Sequence, residues 1–291
     1  MKTGLWILSI LILALFLPDF CQKKTKGFIQ SRIASTFPLE INPSIENSEQ
    51  ALSALDQPFY FLRKGNSAFV LISSDQKYIL KFLRKSPITP CFWSKIKWVE
   101  YFFPSNCAAQ IEKKEKAKEI LLTSYRLATH ELKKQTGILY SHLAPTSNLK
   151  KEILFYDNLK VKHTISADAT AFALQKKADP FCPYFKTLAN ENKKEEMEAL
   201  LKEFAGVLFE RAQKGIFDND LSPHYNLGIF EGHFLTFDLD GLKPCTPPAN
   251  SIDLQKHMLQ DGKKMIKWLK SIDPTLPGFL KEEVNKLSDL S

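Results

Sequence analysis

The sequence predicts a two-lobed α+β fold, in which a β-rich N-terminal lobe with one long helix precedes a short, mainly helical C-terminal lobe. Three observations lead to this prediction. Short β-rich segments recur between residues 59 and 83, and helical periodicity dominates after residue 193. Residues 4–17 form an uninterrupted apolar run, which adds an N-terminal hydrophobic helix. The chain of 291 residues is long enough for such a body.

The apolar run at the N-terminus is short for a membrane span and has the length of a signal-peptide core. We expect residues 1–22 to be a signal peptide or an uncleaved membrane anchor; a buried helix is the third possibility. The protein would then associate with a membrane through residues 4–20, or be exported if the segment is cleaved. Lysines follow the run, which favours a cytoplasmic side for the chain after it. Residues 23–55 read as a juxtamembrane linker.

The five cysteines leave the compartment open. Cys91 and Cys107 bracket an aromatic insert, and Cys182 and Cys245 form the remaining pair beside Cys21. Two disulfides would fit an exported chain, whereas five free thiols fit a cytoplasmic one. The spacing of Cys and His does not suggest a zinc site.

The charge gives little support for a nucleic-acid partner. Lys2, Lys23, Lys24 and Lys26 against Asp19 account for +3 of the formal net charge of +8. The remaining surplus is modest and forms no arginine-rich stripe, so we expect no nucleic acid among the partners.

The N-terminal lobe is predicted to span residues 56–178, with an insert at 86–107. Its β segments are rich in aromatic and β-branched residues, and a long periodic segment ends before Gly137. The predicted elements are strands at 59–62, 68–72, 77–83, 152–156 and 169–175 and a helix at about 108–134.

The C-terminal lobe is predicted to span residues 179–291. A helix over 193–214 ends at Gly215, and two short β segments flank Glu231 and Gly232, which is typical of a two-residue hairpin. An amphipathic helix after Ile252, a proline-rich break and a short final helix complete the lobe.

Two loops of this lobe carry candidate chemistry. The helix at 193–214 leads into a loop that contains Asp220 and Asn226, and the hairpin leads to Asp238. Two carboxylates and an amide brought together in this way supply the oxygen ligands that Mg²⁺ prefers, and leave part of its coordination for phosphates.

This arrangement resembles the catalytic core of the protein-kinase-like superfamily. Asp220 takes the place of the catalytic Asp, Asn226 that of the metal-binding Asn and Asp238 that of the Asp that begins the DFG motif. The segment Asp238-Leu-Asp240 resembles the ending found in lipopolysaccharide kinases. Asn226 follows Asp220 by six positions where the family has five, and Asp218 is the alternative loop carboxylate.

The N-terminal lobe extends the resemblance. Gly65 and Val70 have the spacing of the second Gly and the Val of a kinase glycine-rich loop, where a glycine lets the backbone approach phosphates. Lys81 ends an apolar strand as the lysine of the third kinase strand does. The resemblance implies that these three residues bind ATP.

A hinge and a helical glutamate complete the set of residues that the resemblance implies. Gln175 and Lys176 close a strand where the kinase hinge reads adenine through backbone groups. The long helix should supply a glutamate for the strand lysine, and we choose Glu119, with Glu112 and Glu115 as alternatives.

The resemblance implies a membrane-tethered atypical kinase that uses ATP and Mg²⁺. Only residues 239–291 follow Asp238, without an Ala-Pro-Glu segment, so the peptide-docking platform of protein kinases is reduced. The expected reaction is transfer of the γ-phosphoryl group to a hydroxyl acceptor on a small molecule, glycolipid or protein. The alternative is an inactive pseudokinase that acts as a membrane-anchored interaction module, because the loop at Gly65 is poor in glycine.

Overall fold

The computed structural model describes residues 17, 20–37, 48–85, 107–218 and 220–290. The helices are α1 (Ser48–Ala54), α2 (Cys107–His130), α3 (Lys133–Thr136), α4 (Phe181–Asn190), α5 (Lys194–Gln213), α6 (Ser251–Leu269) and α7 (Leu276–Asp289). The strands are β1 (Phe59–Lys64), β2 (Ala68–Ser73), β3 (Tyr78–Leu83), β4 (Ile138–His142), β5 (Glu152–Tyr156), β6 (Lys162–Ser166), β7 (Phe172–Lys176), β8 (Asp179–Pro180), β9 (Ile216–Asp218), β10 (Leu227–Phe230), β11 (His233–Thr236) and β12 (Leu242–Pro244).

The described chain is a mixed α+β protein of two compact units. The first unit holds the described residues up to 85 together with 140–174, and the second holds 107–139 and 175–290. The long helix α2 therefore groups with the second unit, although the sequence had assigned it to the N-terminal lobe.

A seven-stranded sheet dominates the first unit, with the strand order β4-β7-β3-β2-β1-β5-β6. Strands β1, β2 and β3 form an antiparallel meander, and β5 pairs with β1 in parallel. Phe28 packs on this sheet, with its ring centroid 5.0 Å from that of Phe69. The amide of Ala34 donates to the carbonyl of Leu83 over 2.7 Å. The segment 27–37, which the sequence had placed in a linker, thus packs onto the sheet because its apolar side chains reach the core.

A helical core organises the second unit. The apolar faces of α5, α6 and α7 meet through side chains without solvent exposure, among them Leu201, Phe204, Met265, Leu269 and Leu280. The hairpin β10–β11 has the predicted two-residue turn, in which Glu231 and Gly232 both have positive φ angles of 52° and 84°. This turn conformation matches the twist of the two strands, so the hairpin prediction is confirmed.

The thiols of the second unit decide one of the open questions on disulfides. Cys182 is buried and Cys245 is exposed, and both are free, so a bridge between them is wrong. Burial raises the pKa of the Cys182 thiol to about 11, which keeps it protonated. Cys21 is free and exposed, while Cys91 and the side chain of Cys107 lie outside the described residues.

Within the described residues, no helix has both the length and the apolar character needed to cross a membrane. The apolar run of residues 4–16 and the insert from 86 to 106 lie outside them, so the prediction of a signal peptide or anchor stays a prediction.

Candidate functional site

The first unit places two predicted ATP-binding residues on one face of its sheet. Val70 of β2 and Lys81 of β3 lie directly opposite each other in the antiparallel pair. Opposed residues in such a pair point to the same side of the sheet. Their exposures are 6% and 7%, so the whole lysine residue, and not only its aliphatic stem, is buried.

The loop between β1 and β2 is a closed turn, and an arginine binds its carbonyl oxygens. The amide of Gly65 donates to the carbonyl of Ala68 over 2.8 Å. Arg84 Nη1 donates to the carbonyls of Gly65 and Asn66 over 2.6 and 2.9 Å. Burial lowers the pKa of Arg84, and the charge of Arg32 lowers it further. Sequence reasoning missed Arg84, although it directly follows the strand that carries Lys81.

In the second unit, Asp218 forms a buried ion pair. Arg211 Nη1 donates to Asp218 Oδ2 over 3.1 Å, Nε donates to Gln135 Oε1 over 2.8 Å, and Nη2 donates to Thr236 Oγ1 over 2.7 Å. Burial raises the pKa of Asp218, and the charge of Arg211 opposes this shift. Because the Asp218 carboxylate is bound to Arg211, it connects the start of the loop to helix α5.

Asp220 differs from Asp218 in that its carboxylate reaches solvent. Its backbone amide donates to Asp218 Oδ1 over 2.9 Å, which fixes the turn of the loop. Its side chain is 55% exposed and forms an ion pair with Lys264 of α6. Asn226 is buried and donates from Nδ2 to the carbonyl of Asp220, so its amide oxygen points away from that bond.

The segment that carries Asp238 lies against the same loop. The amide of Phe237 donates to the carbonyl of Asn226 over 3.0 Å. A Cβ atom added to Gly241 would lie 2.5 Å from Asp218 Oδ1, so only glycine allows this approach. The charges of Asp238 and Asp220 both raise the pKa of Asp218, after burial. The segment that carries Asp238 and the loop of Asp220 and Asn226 are therefore neighbours in the second unit. The roles predicted for these three residues stay predictions.

Helix α2 anchors the segment from the other side. Ser124 Oγ donates to the carbonyl of Leu239 and accepts the amide of Leu242 over 3.0 Å. Tyr125 is buried beside it. Its pKa is raised well above the ordinary value by burial and then by the charges of Asp240 and Asp238. Ser124 therefore holds the residues that directly follow Asp238, the candidate metal ligand, against helix α2.

The glutamates proposed on α2 lie on its exposed side. Glu112 pairs with Lys116 over 2.7 Å, and Glu115 pairs with Lys118 over 3.4 Å, all on the surface of the helix. Glu119 is exposed as well and belongs to the second unit, whereas the lysine it was proposed to orient belongs to the first.

The predicted hinge residues have partners of their own. Gln175 is buried, and its Nε2 donates to the carbonyls of Thr136 and Thr236, the latter over 3.1 Å. The amide of Lys176 donates to the carbonyl of Gly137 over 2.9 Å. The Lys176 ammonium lies 4.5 Å from the ring centroid of Phe230.

A second buried carboxylate lies below the candidate loop. Asp261 Oδ2 accepts the amide of Asp218 over 3.3 Å and lies 3.9 Å from His257 Nε2. Burial raises the pKa of Asp261 to about 7. Burial lowers the pKa of His257, and a hydrogen bond to the backbone of Ile216 opposes this.

Asp238 and the Asn226 amide supply oxygen donors of the kind that magnesium accepts, and magnesium retains sites for phosphate and water. Among the described residues, no group of three or more His, Cys, Asp and Glu side chains could hold a metal ion. The predicted magnesium ligands are Asn226 and Asp238, and an asparagine is not one of the four residue types in such a group.

Comparison with known proteins gives structural matches alone. No family model matches the sequence, and no curated protein does. The bifunctional kinase-methyltransferase WbdD matches with a TM-score of 0.35 and 11% identity over 85% of this chain and 45% of that chain. A monomeric WbdD matches with a TM-score of 0.36 and 12% identity, over 86% of this chain and 48% of that chain.

Rv3197 from Mycobacterium tuberculosis, in its complex with erythromycin, matches with a TM-score of 0.36 and 13% identity. The match covers 97% of this chain and 68% of that chain. This chain spans about half the length of the WbdD chains it matches. At these values the likeness assigns no activity.

Proposed function

We propose that this protein is an atypical, kinase-like phosphotransferase that moves the γ-phosphoryl group of ATP to a hydroxyl acceptor. The observation that carries the proposal is the Asp220 loop. Its exposed carboxylate follows a buried, paired Asp218, and its carbonyl is held by Asn226. The turn that begins at Asp238 packs on the same loop through Gly241.

In the proposed reaction, the acceptor hydroxyl attacks the γ-phosphorus of ATP, the bond to the β-phosphate oxygen breaks, and ADP leaves. Asp220 positions the hydroxyl and accepts its proton. Asn226 and Asp238 would hold Mg²⁺, which supplies positive charge to the phosphates. Lys81 would bind the α- and β-phosphates beside Val70. Such catalysis depends mainly on positioning and on charge neutralisation.

The choice of Asp220 over Asp218 follows from their surroundings. A carboxylate that accepts a proton from a substrate must reach it within hydrogen-bond distance. Asp218 is 3% exposed and is already bound to Arg211, while Asp220 is 55% exposed. In this proposal the apolar run of residues 4–17 tethers the protein to a membrane, and the substrate lies near the bilayer.

The test is ATP turnover and phosphate transfer by the purified full-length protein. We expect Asp220→Asn and Lys81→Ala each to lower turnover at least a hundredfold. The control is Asp253→Asn, which changes an exposed carboxylate at the start of α6. Turnover by both site variants at the wild-type rate would overturn the proposal.

A pseudokinase that binds partners without catalysis is the second candidate. It is favoured because the backbone amides of Gly65 and Lys176 already donate hydrogen bonds to carbonyl groups of the protein. In this arrangement they do not donate to a nucleotide. Thermal unfolding with and without Mg-ATP separates the two functions. A protein that neither gains stability from Mg-ATP nor hydrolyses it would be the interaction module.

A further inference from the structure

Three lysines of the first unit surround a concave surface. Lys23, Lys26 and Lys64 line a pocket of about 490 Å³ together with Gln22 and Gly27. Gly27 has a φ angle of 73°, and an added Cβ atom would lie 2.8 Å from Lys64 Cδ. The glycine therefore lets the lysine of β1 lie against the N-terminal segment.

The N-terminal segment that carries Lys23 and Lys26 contains charged side chains of one sign only. Residues 20–37 include Lys23, Lys24, Lys26 and Arg32 but no Asp or Glu. The pocket therefore presents ammonium groups from two parts of the chain, the N-terminal segment and strand β1, and is complementary to an anion.

Exposed apolar side chains lie beside the N-terminal segment that carries Lys23 and Lys26. Phe20 is 57% exposed, and the β5–β6 turn presents Leu159 and Val161 at 51% and 49%. Asn158 Nδ2 donates to the carbonyl of Lys24 over 2.7 Å, which fixes this turn beside the lysine segment.

The turn itself has a defined conformation. Asp157 Oδ1 accepts the amides of Leu159 and Val161 over 2.8 and 3.0 Å, and Asp157 Oδ2 bonds with His163 Nε2 over 3.0 Å. The turn carries two further lysines, Lys160 and Lys162, both exposed. The two apolar side chains are thus held outward between basic residues.

We propose that this lysine–apolar surface, formed by Phe20, Lys23, Lys26, Lys64, Leu159 and Val161, binds the face of an anionic phospholipid bilayer. The lysines would bind lipid phosphates, and the apolar side chains would enter the headgroup region. Mixed basic and apolar surfaces of this kind bind membranes through both charge and buried apolar area.

Two features favour a bilayer over a soluble phosphate compound. A soluble anion would be bound by the lysines alone and would leave Leu159 and Val161 in water. Leu17, which is 49% exposed, ends the apolar run of residues 4–17 only three residues before Phe20. The proposal is independent of phosphoryl transfer.

The test is the partition coefficient of the full-length protein on vesicles, measured by lipid titration. Vesicles of phosphatidylcholine are compared with vesicles that also contain phosphatidylserine. Because the apolar run can enter both, the ratio of the two coefficients reports the charge-dependent contact. A lysine near an anionic surface contributes about a fivefold gain in binding. We therefore expect Lys23→Ala/Lys26→Ala/Lys64→Ala to lower the ratio by about a hundredfold at low salt.

The matched control is Lys202→Ala/Lys256→Ala/Lys281→Ala, which removes the same charge from exposed positions of the second unit. We expect it to keep the wild-type ratio. The variant Leu159→Asp/Val161→Asp should lower binding to both kinds of vesicle. All variants should unfold at the wild-type temperature.

Three results would overturn the proposal. The wild-type protein could bind both vesicle types equally, or the control variant could lose as much of the ratio as the test variant. Alternatively, inorganic phosphate could stabilise the wild type but not the triple-alanine variant, without any lipid preference, which would make the pocket a site for a soluble anion.

Discussion

Arg211 of α5 and Asp218 of β9 form an ion pair over 3.1 Å in which the side chains are 0% and 3% exposed. The same guanidinium also binds Gln135 and Thr236, so one cation connects a helix, the start of the candidate loop and the hairpin strand before Asp238. The position of Asp220 two residues later therefore depends on a charge that never contacts solvent.

Arg211→Met should destabilise the protein by about 3–5 kcal/mol, because it leaves a buried carboxylate without its cation. Equilibrium denaturation measures the change. The control is Lys214→Met, which removes a partly exposed pair with Glu210 and a hydrogen bond to the carbonyl of Glu131, and should cost about 1 kcal/mol. Equal effects of the two substitutions would contradict a structural role for the buried pair.

Asp261 should make stability depend on pH near neutrality. Burial raises the pKa of Asp261 in the folded protein to about 7, well above the ordinary value of about 3.9 for an Asp carboxyl. Between these values the unfolded chain loses the proton and the folded protein keeps it. Stability is therefore fully present below about pH 4 and is lost as the pH rises through 7, by at most about 1.4 kcal/mol per pH unit.

Asp261→Asn should remove this contribution, because the amide cannot titrate. The difference in unfolding free energy between Asp261→Asn and wild type should shift in favour of the variant from pH 5 to pH 8. Equilibrium denaturation at four pH values between 5 and 8 measures this difference. The control is Glu282→Gln, at an exposed position of α7. A difference that stays constant with pH would disprove the assignment.

The helical elements were predictable where burial repeats with the period of the helix. The helix predicted over 193–214 is confirmed by α5, whose apolar side chains Met197, Leu200 and Phe204 are buried at helical spacing. Arg211 lies on the same face, three positions after Leu208, so the periodicity could have revealed it. No helix was predicted over α4 (Phe181–Asn190), which follows Pro180 and has Pro183 in its first turn, where proline is tolerated.

Edge strands and long-range partners were less predictable. Strand β6 lies at the edge of the sheet and alternates exposed with half-buried residues, so Ile165 is its only strongly apolar member. The local loop pattern identified Asp220 and Asn226, but their partners lie far along the chain. Lys264 is 44 residues from Asp220, and no local pattern connects them.

Gly241→Ala should disturb the candidate site, because the added Cβ would lie 2.5 Å from Asp218 Oδ1. We expect lower stability and lower phosphate transfer. Gly206→Ala is the control: it lies in α5 with nothing within 4 Å of an added Cβ, and should stabilise the protein by about 0.5–1 kcal/mol. Thermal unfolding and ATP turnover measure both. Equal stabilisation by the two substitutions would contradict the close approach.

Lys264 should act on activity more than on stability. Its ammonium forms an ion pair with Asp220 Oδ1, and the two side chains are 41% and 55% exposed. A pair so exposed contributes less than about 1 kcal/mol to folding. It nevertheless restricts the carboxylate that we propose as the proton acceptor.

Lys264→Met should therefore lower kcat/KM for phosphate transfer by about tenfold to a hundredfold, since misplacing a catalytic group costs that much. The free energy of unfolding should change by less than about 1 kcal/mol. Lys267→Met, on an exposed position of the same helix, should leave both quantities unchanged. If Lys264→Met instead lost stability without a change in kcat/KM, the ion pair would be structural. Asp220 would then reach its substrate without help from α6.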